Sequence, residues 1–257
     1  MIELSSIYKT FNHGTIDEKV LFNNFNLKIN DDEFVAVIGS NGSGKTTLLN
    51  IISGSTDVDG GKILLDGREI NKMKDYKRAF KIGRVFQDPA LGTCPSMTIW
   101  ENLSIADNKG KRYDLRPGTD RRRVEAYKEL LRPLGLGLEN MMNSKVGSLS
   151  GGQRQALSLI MSSMTPIEFL ILDEHTAALD PKTAEIIMQL TDRIVREKKL
   201  TALMVTHNLR YALEYGDRLI MMHQGGIVLD KAGEEKQAVQ MDDILKIFNE
   251  ISIECGN

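Results

Sequence analysis

The stretch GSNGSGKT at residues 39–46 decides how this chain folds. It fits the spaced pattern GxxxxGK[ST] of a phosphate-binding loop, in which glycines let backbone N–H groups turn toward phosphate oxygens. Lys45 supplies a compact positive charge, and the hydroxyl of Thr46 suits Mg²⁺, which prefers hard oxygen ligands. The stretch therefore predicts a nucleoside triphosphate site.

The residues on either side of this loop predict the local structure that such a site needs. FVAVI at residues 34–38 is a continuous apolar run, typical of a buried parallel strand. Residues 46–53 place leucine and isoleucine at helical spacing, and Gly54 is suited to end that helix. The order of strand, loop and helix is the context in which a phosphate-binding loop occurs.

Other apolar runs predict a larger α/β fold. Further strands are predicted at residues 2–8, 20–29, 62–66, 82–86, 169–172 and 202–205. The last two are followed by polar residues, and active sites lie at the carboxyl ends of parallel strands. Residues 89–148 are rich in helix formers and charge, which predicts an inserted helical lobe, and residues 241–248 form one amphipathic helix.

Composition limits the classes of function. The 257 residues carry 33 basic and 35 acidic side chains, so nucleic acid is not expected as a main partner. Two cysteines, Cys94 and Cys255, are too few for a disulfide framework and fit a reducing compartment. No run approaches the ~18 to 20 apolar residues that cross a bilayer, so a membrane role is expected to come through a partner. The run of arginines at 121–123 is interpreted as a solvated helix face, with binding of acidic groups on a partner or of lipid head groups as the alternative.

Two carboxylates follow the predicted strand at residues 169–172. Asp173 is expected to hold Mg²⁺ through water, and Glu174 to orient or deprotonate an attacking water. Because side chains alternate along a strand, Glu174 is expected to point away from Asp173. An acidic pair in this position is more often a cap or a turn, but a preceding phosphate-binding loop favours catalysis.

A second motif, LSGGQ at residues 149–153, separates one family from the other proteins with phosphate-binding loops. With the loop and the acidic pair, it makes the chain resemble the ATP-binding cassette (ABC) ATPases from residue 1 to about residue 230. The resemblance implies an α/β fold, with a P-loop NTPase (RecA-like) core, an N-terminal antiparallel β subdomain and an inserted α-helical subdomain. The implied single ABC ATPase domain, residues 1–257, comprises the ATP-binding core with its β subdomain (1–88 and 149–230), the helical subdomain (89–148) and a short C-terminal tail (231–257).

The resemblance also assigns roles to single residues, with ATP and Mg²⁺ as cofactors. Phe11 is implied to stack on adenine; Tyr8 is the alternative, and either ring could instead belong to the core. Nucleotide contacts are assigned to Gly39, Ser40, Asn41, Gly42, Ser43, Gly44, Lys45, Thr46 and Thr47. The implied metal ligands are Thr46, Gln87 and Asp173, and the implied catalytic residues are Glu174, His207, Gln87 and Lys45.

Further motif residues are implied to act between two subunits. Ser150, Gly151, Gly152 and Gln153 match the signature that opens a helix and covers the γ-phosphate of ATP bound to the other subunit. Asp180 matches the loop between subunits, and His207 the switch histidine that contacts the γ-phosphate. The resemblance thus implies a homodimer in the ATP-bound state.

His175 departs from the family pattern, in which proline or alanine commonly follows the acidic pair. Two interpretations stay open. The imidazole either tunes communication between two ATP sites, with a charge that changes near neutral pH, or it packs in the interior.

DEHTAALDP at residues 173–181 and the short C-terminus resemble bacterial ATPases of tryptophan or tyrosine importers. This implies an ATP-hydrolysing subunit on the cytoplasmic face of the membrane that energises an importer of a small solute such as an amino acid. The implied partners are integral membrane permease subunits and an extracytoplasmic solute-binding protein. A permease helix is expected to dock between Gln87 and Asn102, on a surface including Leu91, Met97, Ile99 and Trp100, although Trp100 could equally be core.

Other functions compete with this interpretation. The alternatives are the ATPase of an ABC exporter or lipoprotein-release system, and a soluble non-transport ABC ATPase. A degenerate nucleotide-binding module without catalysis conflicts with the presence of Glu174 and His207.

Overall fold

The structure, a computed structural model, describes residues 1–111 and 118–254, and for residues 252–254 it describes the backbone alone. Residues 112–117 of the expected helical lobe and Cys255 lie outside the described residues. Two compact units are present: Met1–Arg78 with the chain from Leu200 onward, and Ala79–Lys199. The expected division into a core at 1–88 and 149–230 and a helical subdomain at 89–148 stays a prediction.

The strands and helices agree closely with the apolar pattern of the sequence. The strands are β1 Ile2–Phe11, β2 Lys19–Ile29, β3 Phe34–Gly39, β4 Gly60–Leu65, β5 Arg68–Glu69, β6 Ile82–Val85, β7 Phe169–Asp173, β8 Ala202–Val205, β9 Arg218–His223 and β10 Gly226–Ala232. The helices are α1 Lys45–Ser53, α2 Asp75–Arg78, α3 Ile99–Asp107, α4 Val124–Leu131, α5 Gly151–Ser163, α6 Pro181–Glu197, α7 Leu209–Glu214, α8 Gly233–Ala238 and α9 Met241–Glu254. Short 3₁₀ turns lie between α3 and α5. The additions to the predicted elements are the short strand β5, the β9–β10 hairpin and the helices α2, α6, α7 and α8.

The first unit contains two groups of strands. Strands β2, β1, β4 and β5 form an antiparallel sheet in that order. Strand β3 is parallel to both β8 and β9, and β10 adds an antiparallel edge to β9. All six residues of β3 are buried, which explains why its sequence is an uninterrupted apolar run.

Helix α1 is held at its C-terminal end by specific contacts. Its apolar side chains, Leu48, Leu49, Ile51 and Ile52, are fully buried. Gly54 ends the helix in the left-handed conformation, with φ of 84°. The buried guanidinium of Arg78 donates to the carbonyls of Ile51 and Ile52 at 2.7 and 3.1 Å. These bonds satisfy carbonyl groups that a helix C-terminus leaves open.

The second unit combines the parallel pair β6 and β7 with helices α3 to α6. Its core includes Ile99, Trp100 and Tyr127, all buried. All three residues of the arginine run are exposed, as the interpretation as a solvated face predicts. They also have local partners: Arg121 lies 5.5 Å from the centre of the Trp100 ring, Arg122 pairs with Asp120, and Arg123 pairs with Asp107.

The helices in the described part of the chain were compared with the length and hydropathy needed to span a bilayer. None of them meets both requirements.

Candidate functional site

The phosphate-binding loop joins β3 to α1 in a conformation that requires glycine. Gly39, Gly42 and Gly44 have φ of 151°, 75° and 106°, values that side-chain-bearing residues rarely adopt. A Cβ on Gly39 would lie 2.2 Å from the carbonyl oxygen of Met222, and one on Gly44 would lie 3.0 Å from the Phe22 ring. The loop thus forms a cradle without side chains at these positions, open to a close approach by phosphate.

Lys45 begins α1 and is buried, and its Nζ donates to the carbonyls of Gly39 at 2.8 Å and Ser40 at 3.0 Å. Its ammonium therefore lies inside the loop that it would serve. Thr46 is exposed in the first turn of the helix, so its hydroxyl is accessible to a ligand. Positive charge and backbone donors at a helix N-terminus suit a polyphosphate.

The β9–β10 turn supports this loop through contacts that no sequence motif predicts. The N–H of Gly225 donates to the carbonyl of Ser43 at 2.9 Å, and Nδ1 of His223 lies 3.4 Å from Oγ of Ser40. A Cβ on Gly225 would lie 1.6 Å from the carbonyl oxygen of Leu21, so only glycine fits. Gly225 follows the polar C-terminal end of an apolar strand, but this pattern does not predict that Gly225 contacts Ser43.

Phe11 and Tyr8 both lie on β1 with exposed rings. The alternative that either belongs to the core is therefore wrong. Lys9 Nζ lies 5.3 Å from the centre of the Phe11 ring, so one face of that ring already carries a cation. Stacking of Phe11 on adenine stays a prediction.

His207 follows β8 and is exposed. Strand β8 lies beside β3 in parallel, with Val205 opposite Val37, so His207 and the phosphate-binding loop leave the sheet at the same edge. Asn208 caps α7 by accepting a hydrogen bond from the N–H of Tyr211 at 3.2 Å. The first unit therefore brings together the loop residues and His207.

The second unit places its predicted site residues at the ends of β6 and β7. These strands are parallel, with Val85 opposite Leu172, so the segments around Gln87 and Asp173 emerge at one edge. Nη2 of Arg84 donates to Oδ2 of Asp173 at 2.7 Å, and both side chains are 14% exposed. The sequence does not predict this ion pair, since no motif links Arg84 to Asp173.

Glu174 does not continue strand β7, although the alternation of side chains assumes that it does. Strand β7 ends at Asp173, and Glu174 has φ of 45°, in the left-handed region. The alternation of side chains along a strand therefore does not set its direction, and an orientation of Glu174 away from Asp173 stays a prediction. A residue other than glycine in this conformation is uncommon and points to a local constraint.

His175 is 2% exposed, and its Nε2 lies 3.0 Å from Oγ1 of Thr191 on α6. Burial lowers the pKa of His175 to about 4, because the charged imidazolium would lose its hydration. The expectation of a charge change near neutral pH is therefore wrong. The imidazole packs in the interior, and a role in communication between two ATP sites stays a prediction.

Gln87 is exposed immediately after β6. The backbone before it is held by Gln155, a fully buried residue of α5 whose Nε2 donates to the carbonyl of Phe86 at 3.1 Å. Asp88 then caps a 3₁₀ turn by accepting from the N–H of Ala90. Gln155 was missed because a glutamine two residues beyond the signature carries no sequence signal of burial.

The signature residues open α5 through a capping box. Oγ of Ser150 accepts from the N–H of Gln153 at 3.2 Å, and Oε1 of Gln153 accepts from the N–H of Ser150 at 3.1 Å. Ser150 and Gly151 are exposed, whereas Gly152 is buried against Thr183. The motif thus presents an exposed N-terminus of a 13-residue helix.

Asp180 is the N-cap of α6. Its carboxylate accepts from the N–H of Thr183 at 3.1 Å, and hydrogen bonding to Thr183 lowers the pKa of this carboxyl. Asp180 therefore has a structural role within its own chain beside any role between subunits.

The expected docking surface is only partly exposed. Leu91 is 69% exposed, whereas Ile99 and Trp100 are buried in the second unit. The prediction that Ile99 and Trp100 meet a partner is wrong, because α3 turns both side chains into the core.

Comparison with known proteins identifies the family. The sequence profile described as "ABC transporter" matches residues 22–177, more than half of the chain. The chain is also 51% identical over 248 residues to the tyrosine transport ATP-binding protein of Clostridioides difficile (strain R20291), covering 96% of this chain and 98% of that protein. The chain belongs to the ABC transporter family.

Two further proteins are similar to this ABC ATPase. It is 35% identical to the spermidine/putrescine import ATP-binding protein of Haemophilus influenzae (strain ATCC 51907 / DSM 11121 / KW20 / Rd), covering 91% of this chain and 59% of that protein. It is also similar to an ATP-binding cassette solved as a dimer in a post-hydrolysis state bound to ADP and Pi. That match has a TM-score of 0.76 and 31% identity, and covers 90% of this chain and 98% of the other.

These similarities confirm the predicted fold class and the resemblance to ABC ATPases with importer-type relatives. They support ATP binding and hydrolysis by this chain.

Proposed function

We propose that this ABC ATPase energises a membrane importer of a small solute such as an amino acid. The observation that carries the proposal is the presence, in one chain, of a glycine cradle around Lys45 and an exposed signature helix. The similarity to a tyrosine transport ATP-binding protein supports the amino-acid class of solute. The similarity to an import protein for spermidine and putrescine supports the direction of transport.

The phosphate-binding loop is proposed to hold the triphosphate of ATP. Backbone N–H groups of residues 39–47 and the ammonium of Lys45 would neutralise the phosphate oxygens, and the absent Cβ atoms leave room for their approach. Lys45 would exchange its bonds to the Gly39 and Ser40 carbonyls for bonds to phosphate. Phe11 would stack on adenine with its exposed ring.

Thr46, Gln87 and Asp173 fit a Mg²⁺ ion in their chemistry, since each offers a hard oxygen ligand. When bound, the ion would neutralise charge on the phosphates. Glu174 is proposed to take the proton of the attacking water or to orient it, and His207 to contact the γ-phosphate. The backbone directly before Gln87 is fixed by the hydrogen bond from Gln155 to the carbonyl of Phe86. The side chain of Gln87 can therefore respond to the nucleotide while the backbone before it stays in place.

The signature helix is proposed to complete the site of a second copy of the chain. Ser150 and Gly151 are exposed at a helix N-terminus, where backbone donors favour an anion. The dimeric form of the solved relative supports an ATP-bound homodimer. Asp180 would lie between the subunits. Permease subunits would bind near Leu91, an extracytoplasmic solute-binding protein would deliver the solute, and this subunit would lie at the cytoplasmic face of the membrane.

Two substitutions test the proposal because they interrupt different steps. Lys45→Ala should abolish productive nucleotide binding, whereas Glu174→Gln should bind ATP and stop turnover. Binding of a fluorescent ATP analogue and release of phosphate would be measured on the same preparations. Glu234→Gln, an exposed carboxylate on α8, is the matched control and should behave as the parent does. Turnover near the parental rate in Glu174→Gln would remove Glu174 from its proposed role.

A second measurement tests the solute class. Uptake of labelled tyrosine, tryptophan and spermidine would be compared in cells that express the parental chain and in cells that express Glu174→Gln. Loss of amino-acid uptake with unchanged spermidine uptake is expected, and the reverse pattern would contradict the proposal.

A further inference from the structure

The proposed base, Glu174, occupies a backbone conformation that needs support from its neighbours. Its φ of 45° lies in the left-handed region, which costs a residue with a side chain of order 1 kcal/mol or more. Its carbonyl accepts a hydrogen bond from the N–H of Ala177 at 2.9 Å, which forms a turn directly after β7. A turn on the surface would leave the direction of the Glu174 carboxylate loosely defined.

His175 anchors this turn in the interior. Thr191 is fully buried, and its Oγ1 lies 2.8 Å from the carbonyl of Ile187 and 3.0 Å from Nε2 of His175. A carbonyl only accepts, so the single hydroxyl proton of Thr191 is donated to Ile187. The oxygen of Thr191 must then accept from His175, which places a proton on Nε2 of the ring.

Helix α6, which carries Thr191, also holds the other end of the segment from Glu174 to Asp180. Asp180 caps α6 through the N–H of Thr183, and Thr191 lies more than two turns further along that helix. The segment from Glu174 to Asp180 is therefore tied to α6 at two points, one of which is the residue next to Glu174. A backbone held on both sides limits the directions that the Glu174 carboxylate can take.

We infer that His175 is a positioning residue for Glu174, acting through its hydrogen bond to Thr191. This inference rests on the proposed role of Glu174 as the base. His175 touches no reacting atom in this assignment; it keeps the carboxylate in the place that proton transfer needs. Small displacements of a catalytic group are sufficient to lower the rate of chemistry without weakening the binding of substrate.

Four single variants and one double variant test the inference. His175→Ala removes the donor, while His175→Gln keeps an N–H group at a similar reach. Thr191→Val removes the acceptor with little change in volume, while Thr191→Ser keeps it. The double variant is His175→Ala with Thr191→Val. Single-turnover and steady-state ATP hydrolysis, ATP affinity and the thermal unfolding midpoint would be measured for each, with kinetics recorded well below the lowest midpoint.

We expect kcat to fall roughly 10- to 100-fold in His175→Ala and Thr191→Val, with KM for ATP within about threefold of the parent. His175→Gln and Thr191→Ser should retain most of the rate. The double variant should be no slower than the slower single variant, since both changes break the same bond. If His175→Ala does not fold, the Thr191 pair decides the matter alone.

Parental kcat in His175→Ala or in Thr191→Val would overturn the inference. So would a rate loss that follows the unfolding midpoint across all variants, or equal losses in the conservative and disruptive substitutions, because each describes a structural role only. The variant Glu174→Gln distinguishes failure of this inference from failure of the proposed function. If that variant stops turnover while the His175 and Thr191 variants do not, the inference fails and the proposed function stands. If Glu174→Gln turns over normally, the role of Glu174 fails and takes the inference with it.

Discussion

Arg84 on β6 forms an ion pair with Asp173 at the end of β7, with 2.7 Å between Nη2 and Oδ2. Both side chains are largely shielded from solvent, and the guanidinium also lies 4.8 Å from the centre of the Phe86 ring. Arg84 therefore contacts both the carboxylate proposed to serve Mg²⁺ and the residue before Gln87. We expect Arg84→Met and Asp173→Asn to be coupled in stability by about 1.5 to 3 kcal/mol, the range for a hydrogen bond to a charged group.

The coupling would be measured by denaturant unfolding of the parent, the two single variants and the double variant without nucleotide. Lys128→Met with Glu125→Gln, which removes a more exposed pair on α4, is the control and should give a much smaller coupling. Additive effects of Arg84→Met and Asp173→Asn would show that the ion pair contributes nothing.

Gly152 in the signature should not tolerate even one added methyl group. A Cβ there would lie 2.1 Å from Cγ2 of Thr183, so Gly152→Ala should lower the free energy of unfolding by about 1 to 3 kcal/mol. Thr183→Ser removes that methyl group and should restore stability in the double variant. Gly151→Ala is the control, since its Cβ would meet only the flexible end of Leu179 at 3.3 Å. Failure of Thr183→Ser to rescue would place the cause elsewhere.

The stability of the protein should decrease in mild acid through His175. The ordinary pKa of 6.5 applies to the unfolded chain, and burial lowers the folded value to about 4. Between these values the unfolded chain binds a proton that the folded protein does not. The contribution is therefore fully present above pH 6.5 and is lost as pH falls toward 4, to a total of about 3 kcal/mol.

Chemical unfolding at several pH values would check this expectation. His175→Gln should flatten the decrease between pH 6.5 and 4, while His13→Gln, at an exposed histidine, should leave it unchanged. An identical pH profile for the parent and His175→Gln would contradict the expectation.

Hydrolysis should need residues from two copies of the chain. Lys45→Ala and a bulky substitution at Ser150 should each inactivate a homodimer. In a mixture of the two variants, one composite site of each heterodimer keeps both an intact loop and an intact signature. Random pairing at equal amounts should therefore restore up to about a quarter of parental turnover. A mixture as inactive as its components, or full turnover by a protein that stays monomeric with ATP and Mg²⁺, would refute a shared site.

Leu91 is the apolar side chain of the expected docking surface that remains exposed. Leu91→Asp should release the protein from membranes that contain its permease while sparing ATP binding, because a charge in an apolar contact must be desolvated. Leu130→Asp, on the exposed side of α4, is the control. Co-sedimentation with membranes would be measured for both. Retention of Leu91→Asp would place the permease elsewhere.

Much of the fold could be predicted because its signals are local. Strand β3 is an uninterrupted apolar run since both of its faces are covered, and the helix after it ends at Gly54, where a left-handed conformation suits glycine. The short β5 and the edge strand β10 carry weaker signals, because neither strand has a buried residue.

For the candidate site too, the sequence predicted features with local signals and missed others. Motif spacing identified Lys45 and the acidic pair, and it located Ser150 at the start of a helix. It failed for Ile99 and Trp100, which sequence treats as a possible apolar surface and α3 turns into the core. It also gave no valid basis for the direction of Glu174, because the strand ends at Asp173 and the backbone of Glu174 is not extended.

The sequence by itself determined the family, the phosphate-binding loop and the order of the elements, since glycine conformations, helix caps and apolar periodicity depend on residues only a few positions apart. The tertiary structure alone decided which distant side chains meet. Gln155 holds the carbonyl of Phe86 and Thr191 holds His175 across many intervening residues. These pairings follow from the packing of strands and helices that brings buried donors to acceptors, since an unpaired polar group in the interior is costly.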